Sequence, residues 1–214
     1  MKKQFTTVVL LLGMLMAAHA ILFIQGTTGQ SGVNEGSVAN PTIYDGNPAY
    51  ITANTMNLTS AGLGSSLSSL TVTVNISGGM NNGLYGYLIA PNGTIVILMN
   101  QPGYGVDGFG ATGAGMNITL QDVGAANGNI QNVTSGSALS GSYNAANNLS
   151  GFNGVNPDGA WTLYFADTIG GGGNATLSGW SLDITAVPEP VTLALGLFVA
   201  MLLALAGLRW AWRT

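Results

Sequence analysis

The sequence predicts an all-β fold, an antiparallel sandwich or jelly roll, with an N-terminal signal helix and a C-terminal transmembrane helix. Three observations predict it: short apolar alternations separated by turn residues from about Thr42 onward, no amphipathic helix among them, and an apolar stretch at each chain end. A chain of 214 residues leaves room for one domain between those ends.

The start of the chain has the three parts of a secretory signal peptide. Two lysines precede an apolar run from Val8 to Met16, and Ala18 and Ala20 form an A-x-A cleavage site. We therefore predict a signal peptide over residues 1–20; an uncleaved N-terminal anchor is the alternative. The Gly/Ser/Thr-rich composition that follows predicts a flexible linker over residues 21–41.

The clearest predicted strand is Leu70–Ile76, where apolar and polar residues alternate as in a half-buried strand. Leu84–Ala90 and Thr94–Met99 flank Pro91-Asn92-Gly93, and an Asn-Gly pair between two apolar runs predicts a hairpin. Alternating runs that begin at Trp161 and Trp180 predict two more strands. Each Trp heads the apolar face of its strand and is expected in the core.

Charge excludes one class of function. No Lys or Arg occurs between Gln4 and Leu208, whereas all 8 Asp and Glu residues lie there. Nucleic-acid affinity comes largely from Lys and Arg that displace counterions, so a nucleic-acid partner is excluded.

Catalysis also lacks its usual residues. A serine nucleophile needs a general base, and His19, inside the predicted signal, is the only histidine. The chain has no Cys, which removes thiolate chemistry, disulfides and Cys-type zinc sites. We predict that the protein is not an enzyme and needs no cofactor.

The C-terminal segment predicts a membrane span. Residues 191–208 are uncharged and mostly apolar, and as a helix they would reach about 27 Å, close to the ~30 Å hydrocarbon core of a bilayer. Basic residues at both chain ends and none between place both ends in the cytoplasm and the domain outside.

This tail resembles the PEP-CTERM sorting signal of Gram-negative bacteria over residues 187–214. The resemblance is carried by the apolar span and by Val187, Pro188, Glu189, Pro190, Arg209 and Arg213. It implies recognition by an exosortase-type processing enzyme. The protein would be exported, anchored in the membrane before processing, and afterwards found at the cell surface or outside the cell.

The middle of the chain, residues 42–186, resembles the P domain, or P/Homo B domain, that follows the catalytic domain of kexin- and furin-type subtilisin-like proteases. The matching stretches are Leu70–Ile76, Leu88–Thr94, Gly151–Gly154, Asp158–Asp167 and Leu177–Ile184. The resemblance implies a β jelly roll. One position departs from the family pattern, because its Gly-Asp-Leu is here Asn82-Gly83-Leu84.

Two sets of side chains are candidate binding sites. Asp107, Asp158 and Asp167, with Asp122, offer oxygen ligands of the kind that Ca²⁺ takes; the alternative is that they form turns and strand ends. A second set can form a sugar-stacking surface for extracellular polysaccharide, or can simply cover a sheet face. Its members are Tyr85, Tyr87, Tyr104, Tyr143 and Tyr164.

A glycine pattern needs separate mention. Residues Gly103–Gly108 match the literal G-x-G-x-x-G spacing, but no helix is predicted after them, so we interpret them as a flexible loop and not as a dinucleotide site.

Together these observations predict a non-catalytic bacterial surface or extracellular-matrix protein. Two alternatives remain: an accessory P domain of secreted subtilisin-like proteases, and a carbohydrate- or calcium-binding module.

Overall fold

The computed structural model describes residues 22–28, 41–58, 65–188, 196–203 and 205. Ten strands account for most of them. They are β1 (Leu22–Thr28), β2 (Thr42–Ile43), β3 (Thr52–Leu58), β4 (Ser65–Met80), β5 (Leu84–Ile89), β6 (Ile95–Asn100), β7 (Ala114–Gln121), β8 (Leu139–Asn144), β9 (Gly159–Asp167) and β10 (Ala175–Pro188). The prediction of an all-β fold is confirmed.

The strands form two sheets. The larger has the order β1-β10-β4-β7-β8, with β2 also paired to β10, and the smaller has the order β3-β9-β5-β6. All pairs are antiparallel except β7 and β8, which run parallel. A purely antiparallel sandwich was therefore wrong in this one pair, because a long connection with a 3₁₀ turn at Ile130–Asn132 returns the chain to the end from which β7 starts.

The predicted strands have the predicted faces. In β4, Val72, Val74 and Ile76 are buried, and the hairpin of β5 and β6 turns at the predicted Asn92-Gly93 pair, with Gly93 in the left-handed region. Gly93 has φ 86°, a conformation that costs a glycine little.

One hydrophobic core lies between the sheets. Trp161 of the smaller sheet is fully buried, donates Nε1–H to Pro157 O at 2.9 Å, and meets Phe152 edge to face at 5.2 Å. From the larger sheet, Trp180 donates Nε1–H to Asn54 Oδ1 at 2.8 Å, so a buried hydrogen bond joins the two sheets. Both tryptophans are core residues, as predicted.

Two described strand segments lie at the predicted domain boundaries, which stay predictions. Within the predicted linker 21–41, residues 22–28 form β1, which pairs with β10 at the edge of the larger sheet. At the other boundary, β10 continues through Val187 and Pro188, opposite Ser66 and Ser65.

The predicted targeting segments lie mostly outside the described residues. These include the signal peptide with Ala18 and Ala20, and Glu189, Pro190, Arg209 and Arg213 of the tail. Of the predicted span 191–208, the described residues 196–203 and 205 are helical. No helix in the part of the chain that the structure describes has the length and apolar character needed to cross a bilayer.

Candidate binding surface

The strand registers bring four connections to one end of the sandwich. Ile43 pairs with Ala175, Met80 with Ala114, and Leu84 with Asp167, so the turns that leave these residues lie together. We call this the loop end. It consists of residues 44–51, 81–83, 101–113 and 168–174.

Asp45 fastens two of these connections to each other. Its carboxylate accepts hydrogen bonds from the Gly171 and Gly172 N–H groups at 3.0 and 3.1 Å, and its own N–H donates to Asn174 Oδ1 at 3.0 Å. These donors, the Gly171 N–H first, lower the pKa of the Asp45 carboxyl. The carboxylate is therefore ionised and acts as a clamp on the glycine-rich turn.

Asp167, the last residue of β9, is buried beside this clamp. Its Oδ1 accepts the Ile169 N–H at 3.0 Å, whereas its Oδ2 is buried without a partner. Burial raises the pKa of the Asp167 carboxyl, and the nearby Asp45 charge adds to the rise. This strand-end role is the alternative that the sequence left open.

The structure accounts for the departure at Asn82-Gly83-Leu84. A Cβ atom at Gly83 would collide with Asp167 Oδ1, so no acidic side chain fits at this position while Asp167 keeps its place. Asp167 therefore packs directly against the backbone of Gly83.

Residues 103–110 form a short helical loop rather than an irregular one. Gly103 and Gly108, both left-handed, flank the one-turn helix Tyr104–Asp107. The Asp107 carboxylate accepts the Gly110 and Phe109 N–H groups at 2.7 and 2.9 Å, and these bonds, Gly110 first, lower its pKa. A turn fixed in this way holds Val106 and Phe109 outward.

Hydrogen bonds also connect the loops of this end to one another. Asn82 donates Nδ2–H to Phe109 O at 2.7 Å, and Gln101 donates Nε2–H to Thr168 Oγ1 at 2.9 Å. Together with the Asp45 clamp, they tie the four connections into one surface.

That surface carries exposed apolar and aromatic side chains. Phe109 is 72% exposed and Val106 58%, and Tyr44 meets Tyr50 edge to face with ring centroids 4.8 Å apart. Further exposed members are Tyr50, Ile51 and Tyr104, and Met80, the last residue of β4, is exposed beside the loop 81–83.

The aspartates predicted as calcium ligands are not brought together. Asp158 precedes β9 and Asp167 ends it, and a nine-residue strand separates its ends by about 26 Å. The two cannot share an ion. Within the described residues no three Asp, Glu or His side chains are grouped as metal ligands, and Asp122 instead accepts the Ser150 N–H with both carboxylate oxygens.

Three of the five predicted tyrosines do meet. Tyr85, Tyr87 and Tyr164 are half-buried on the outer face of the smaller sheet, where Tyr87 pairs with Tyr164 across β5 and β9. Their rings stack at 4.8 Å with planes 6° apart, and Tyr85 lies tilted at 5.8 Å from Tyr87. Tyr104 is on the loop end and Tyr143 is buried in β8.

Sequence reasoning did not select Asp45 or the apolar loop end. The signal for Asp45 was an Asp-Gly turn together with the distant run of glycines at 170–173, but nothing in the sequence links the two. Phe109 and Val106 lie in a segment without periodicity, so their exposure depends on the turn geometry alone.

Comparison with known proteins finds similar structures but no related sequence. No protein family matches the sequence, and no curated protein matches it. A serine protease of Aeromonas sobria is similar in structure with a TM-score of 0.44 and 14% identity, over 82% of this chain and 29% of that chain. A chain in the complex of that protease with its chaperone has a TM-score of 0.42 and 14% identity, over 78% of this chain and 27% of that chain. The structure of FLHE has a TM-score of 0.40 and 12% identity, over 78% of this chain and 96% of that chain.

The chain thus spans less than a third of the length of the protease chains it resembles.

Proposed function

We propose that this chain is a non-catalytic accessory domain, an exported jelly roll of the P-domain type, that works by binding a subtilisin-like serine protease. One observation carries the proposal: the stretches that resemble P domains form the central strands β4, β5, β9 and β10. Two of their residues, Trp161 and Trp180, build the core from opposite sheets.

The role of the carboxylates supports binding rather than hydrolysis. Asp45, Asp107, Asp122 and Asp167 each accept backbone N–H groups that shape a turn or a strand end. Groups used in this way stabilise loops, and hydrolysis of a peptide by a serine would still require a base beside it.

Export and sorting belong to the same proposal. The signal peptide would deliver the domain, and the tail from Val187 would hold it in the membrane until an exosortase-type enzyme processes it. Mass spectrometry of the mature protein tests this: we expect an N-terminus at Ile21 and loss of the residues after Pro190. A chain that retains both segments would contradict it.

The accessory role is tested with the full chain and the subtilisin-type proteases that the same cells export. We expect a complex in sedimentation velocity and a longer half-life of the protease at elevated temperature. The matched control is the chain with Trp161→Ala, whose core is disrupted. Casein hydrolysis by the purified chain, with contaminants excluded, or the absence of any complex would contradict the proposal.

A second candidate function is polysaccharide binding at the tyrosine face, which the cluster of Tyr85, Tyr87 and Tyr164 favours. Because Tyr87 and Tyr164 stack on each other, only the outer faces of these rings remain for a sugar. Titration with extracellular polysaccharide from the same cells should then shift tyrosine fluorescence in the wild type and in Tyr104→Ala, but not in Tyr87→Ala. Equal responses in all three would exclude this face.

A further inference from the structure

We propose that the loop end is the surface by which this domain binds its protein partner, and that the partner presents an apolar patch with a rim of Lys or Arg. The inference rests on the proposed function, since it names the contact surface of the accessory domain and the chemistry of what it contacts. The surface is defined by Tyr44, Tyr50, Ile51, Tyr104, Val106 and Phe109, which we call the loop-end cluster.

Exposed apolar side chains are concentrated here. Within the described residues 41–58 and 65–188, only Ile95 and Val123 among the large exposed apolar side chains lie towards the other end of the sandwich. Scattered single residues are ordinary on a protein surface, whereas several exposed apolar side chains on loops that hydrogen bonds hold together at one end of the fold indicate an interaction site. Tyr and Phe are also enriched at the centres of protein interfaces.

The cluster is prepared for binding. Asp107 fixes the turn that displays Val106 and Phe109, and Asp45 fixes the turn beside Tyr44. Tyr44 and Tyr50 already pack against each other. Since these side chains sit on hydrogen-bonded loops, little backbone freedom remains to be lost when a partner docks.

Charge selects the kind of partner. Asp45 follows Tyr44 and Asp107 follows Val106, so both carboxylates lie on the loops that carry the cluster. Both remain ionised, because hydrogen bonds from backbone N–H groups lower their pKa values. No Lys or Arg of this chain between Gln4 and Leu208 can neutralise them. A complementary surface therefore brings basic side chains around its apolar centre.

The same charges disfavour two other occupants. A second copy of the chain would oppose these carboxylates with identical ones. A bilayer would have to accept Asp107 between Val106 and Phe109, at the tip of the turn, and burial of an ionised carboxylate in hydrocarbon is costly.

The position of the cluster leaves it accessible. β10 ends, and β1 begins, at the opposite end of the sandwich, because Leu22 pairs with Ala186 and Pro188 with Ser65. A tether attached after Pro188 would therefore direct the loop end away from its point of attachment.

Calorimetric titration of the full chain, in mild detergent, with the subtilisin-type protease exported by the same cells tests the inference. The double variant Val106→Ser, Phe109→Ser should lower the affinity by about tenfold or more. The matched control Ile95→Ser, Val123→Ser removes equally exposed apolar groups elsewhere and should stay within about twofold of the wild type. Affinity should also fall with rising salt, because the basic rim is screened.

Each other outcome has a defined meaning. If the wild type binds and the loop-end variant binds equally well, the inference is wrong and the proposed function stands. If the wild type does not bind the protease, both fail. Binding to phosphatidylcholine vesicles, or a dimer in sedimentation velocity, that only the loop-end variant abolishes would replace the protein partner with a membrane or with a second copy.

Discussion

The sharpest test of the fold compares two phenylalanines with opposite environments. Phe152 is fully buried, and its ring meets Trp161 edge to face, whereas Phe109 is 72% exposed. Phe152→Ala and Phe109→Ala therefore remove the same atoms from the core and from the surface. The pair holds chemistry constant and varies burial alone.

The structure sets the size of the expected difference. Truncation of Phe152 removes about 100 Å² of buried apolar surface, worth about 2.5 kcal/mol at ~25 cal/mol per Å². Loss of the contact with Trp161 adds roughly 0.5–1.5 kcal/mol, and the cavity left behind brings the total to about 3–5 kcal/mol. Truncation of Phe109 should change the free energy of unfolding by less than about 0.5 kcal/mol.

Urea denaturation of the full chain, followed by tryptophan fluorescence and by circular dichroism, measures both values. In a thermal scan the Phe152→Ala variant should melt roughly 10 °C below the wild type. The Phe109→Ala variant should have the same melting temperature as the wild type. Equal destabilisation by the two variants would refute the placement of Phe109 on the surface, and with it the use of Phe109 as a probe of binding.

Three further predictions concern the turns around the Asp45 clamp. Because the pKa of Asp45 is lowered, its contribution to stability is present above the unfolded-state pKa and is lost as pH falls through the folded-state pKa. In urea titrations at several pH values, Asp45→Asn should therefore lack this part of the fall in stability at acid pH. The raised pKa of Asp167 has the opposite effect, because stability is lost as pH rises through the folded-state pKa. Asp167→Asn should therefore be more stable than the wild type near pH 7. A lower stability of this variant at pH 7 would contradict the burial of an ionised Asp167. Gly83→Ala places a Cβ against Asp167 Oδ1 and should destabilise by about 1–3 kcal/mol, whereas Gly93→Ala, at an open but left-handed position, should cost only about 1 kcal/mol. Equal melting temperatures for the two glycine variants would argue against the close packing at Gly83.

The sequence was sufficient for the strands that alternate cleanly. The alternation of Val72, Val74 and Ile76 with polar residues predicted which face of the strand is buried, because residues two apart share one side of a strand. The Asn92-Gly93 pair predicted the hairpin, because an Asn-Gly pair fits a tight turn. These are local properties.

Other elements depend on neighbours that the sequence does not reveal. β8 contains Ser140, Gly141 and Ser142, which give it no apolar alternation. Its parallel pairing with β7 requires the long connection between the two strands, which no local pattern predicts. In β3, Asn54 points into the core because Trp180 of the other sheet supplies a donor for it. Without knowledge of this hydrogen-bond partner, a polar residue on one face of a strand predicts that the face is exposed.

The candidate sites show the same limit. Asp158 and Asp167 are nine positions apart, a separation that a loop could close, and the straight strand β9 between them is what keeps them from sharing an ion. Asp45 and Gly171 are brought together only by β2 and β10, so neither suggested the other in advance.

The pairing of β1 with β10 also determines how the domain responds to force. Because Leu22 lies beside Ala186, a pull applied between the two chain attachments would open that pair of strands from one edge, one hydrogen bond after another, instead of shearing many bonds at once. A domain of this geometry is weak as a link under tension and is better suited to hang from a single point. Tension along a tether would then leave the distant turns, including the Asp45 clamp, unstrained.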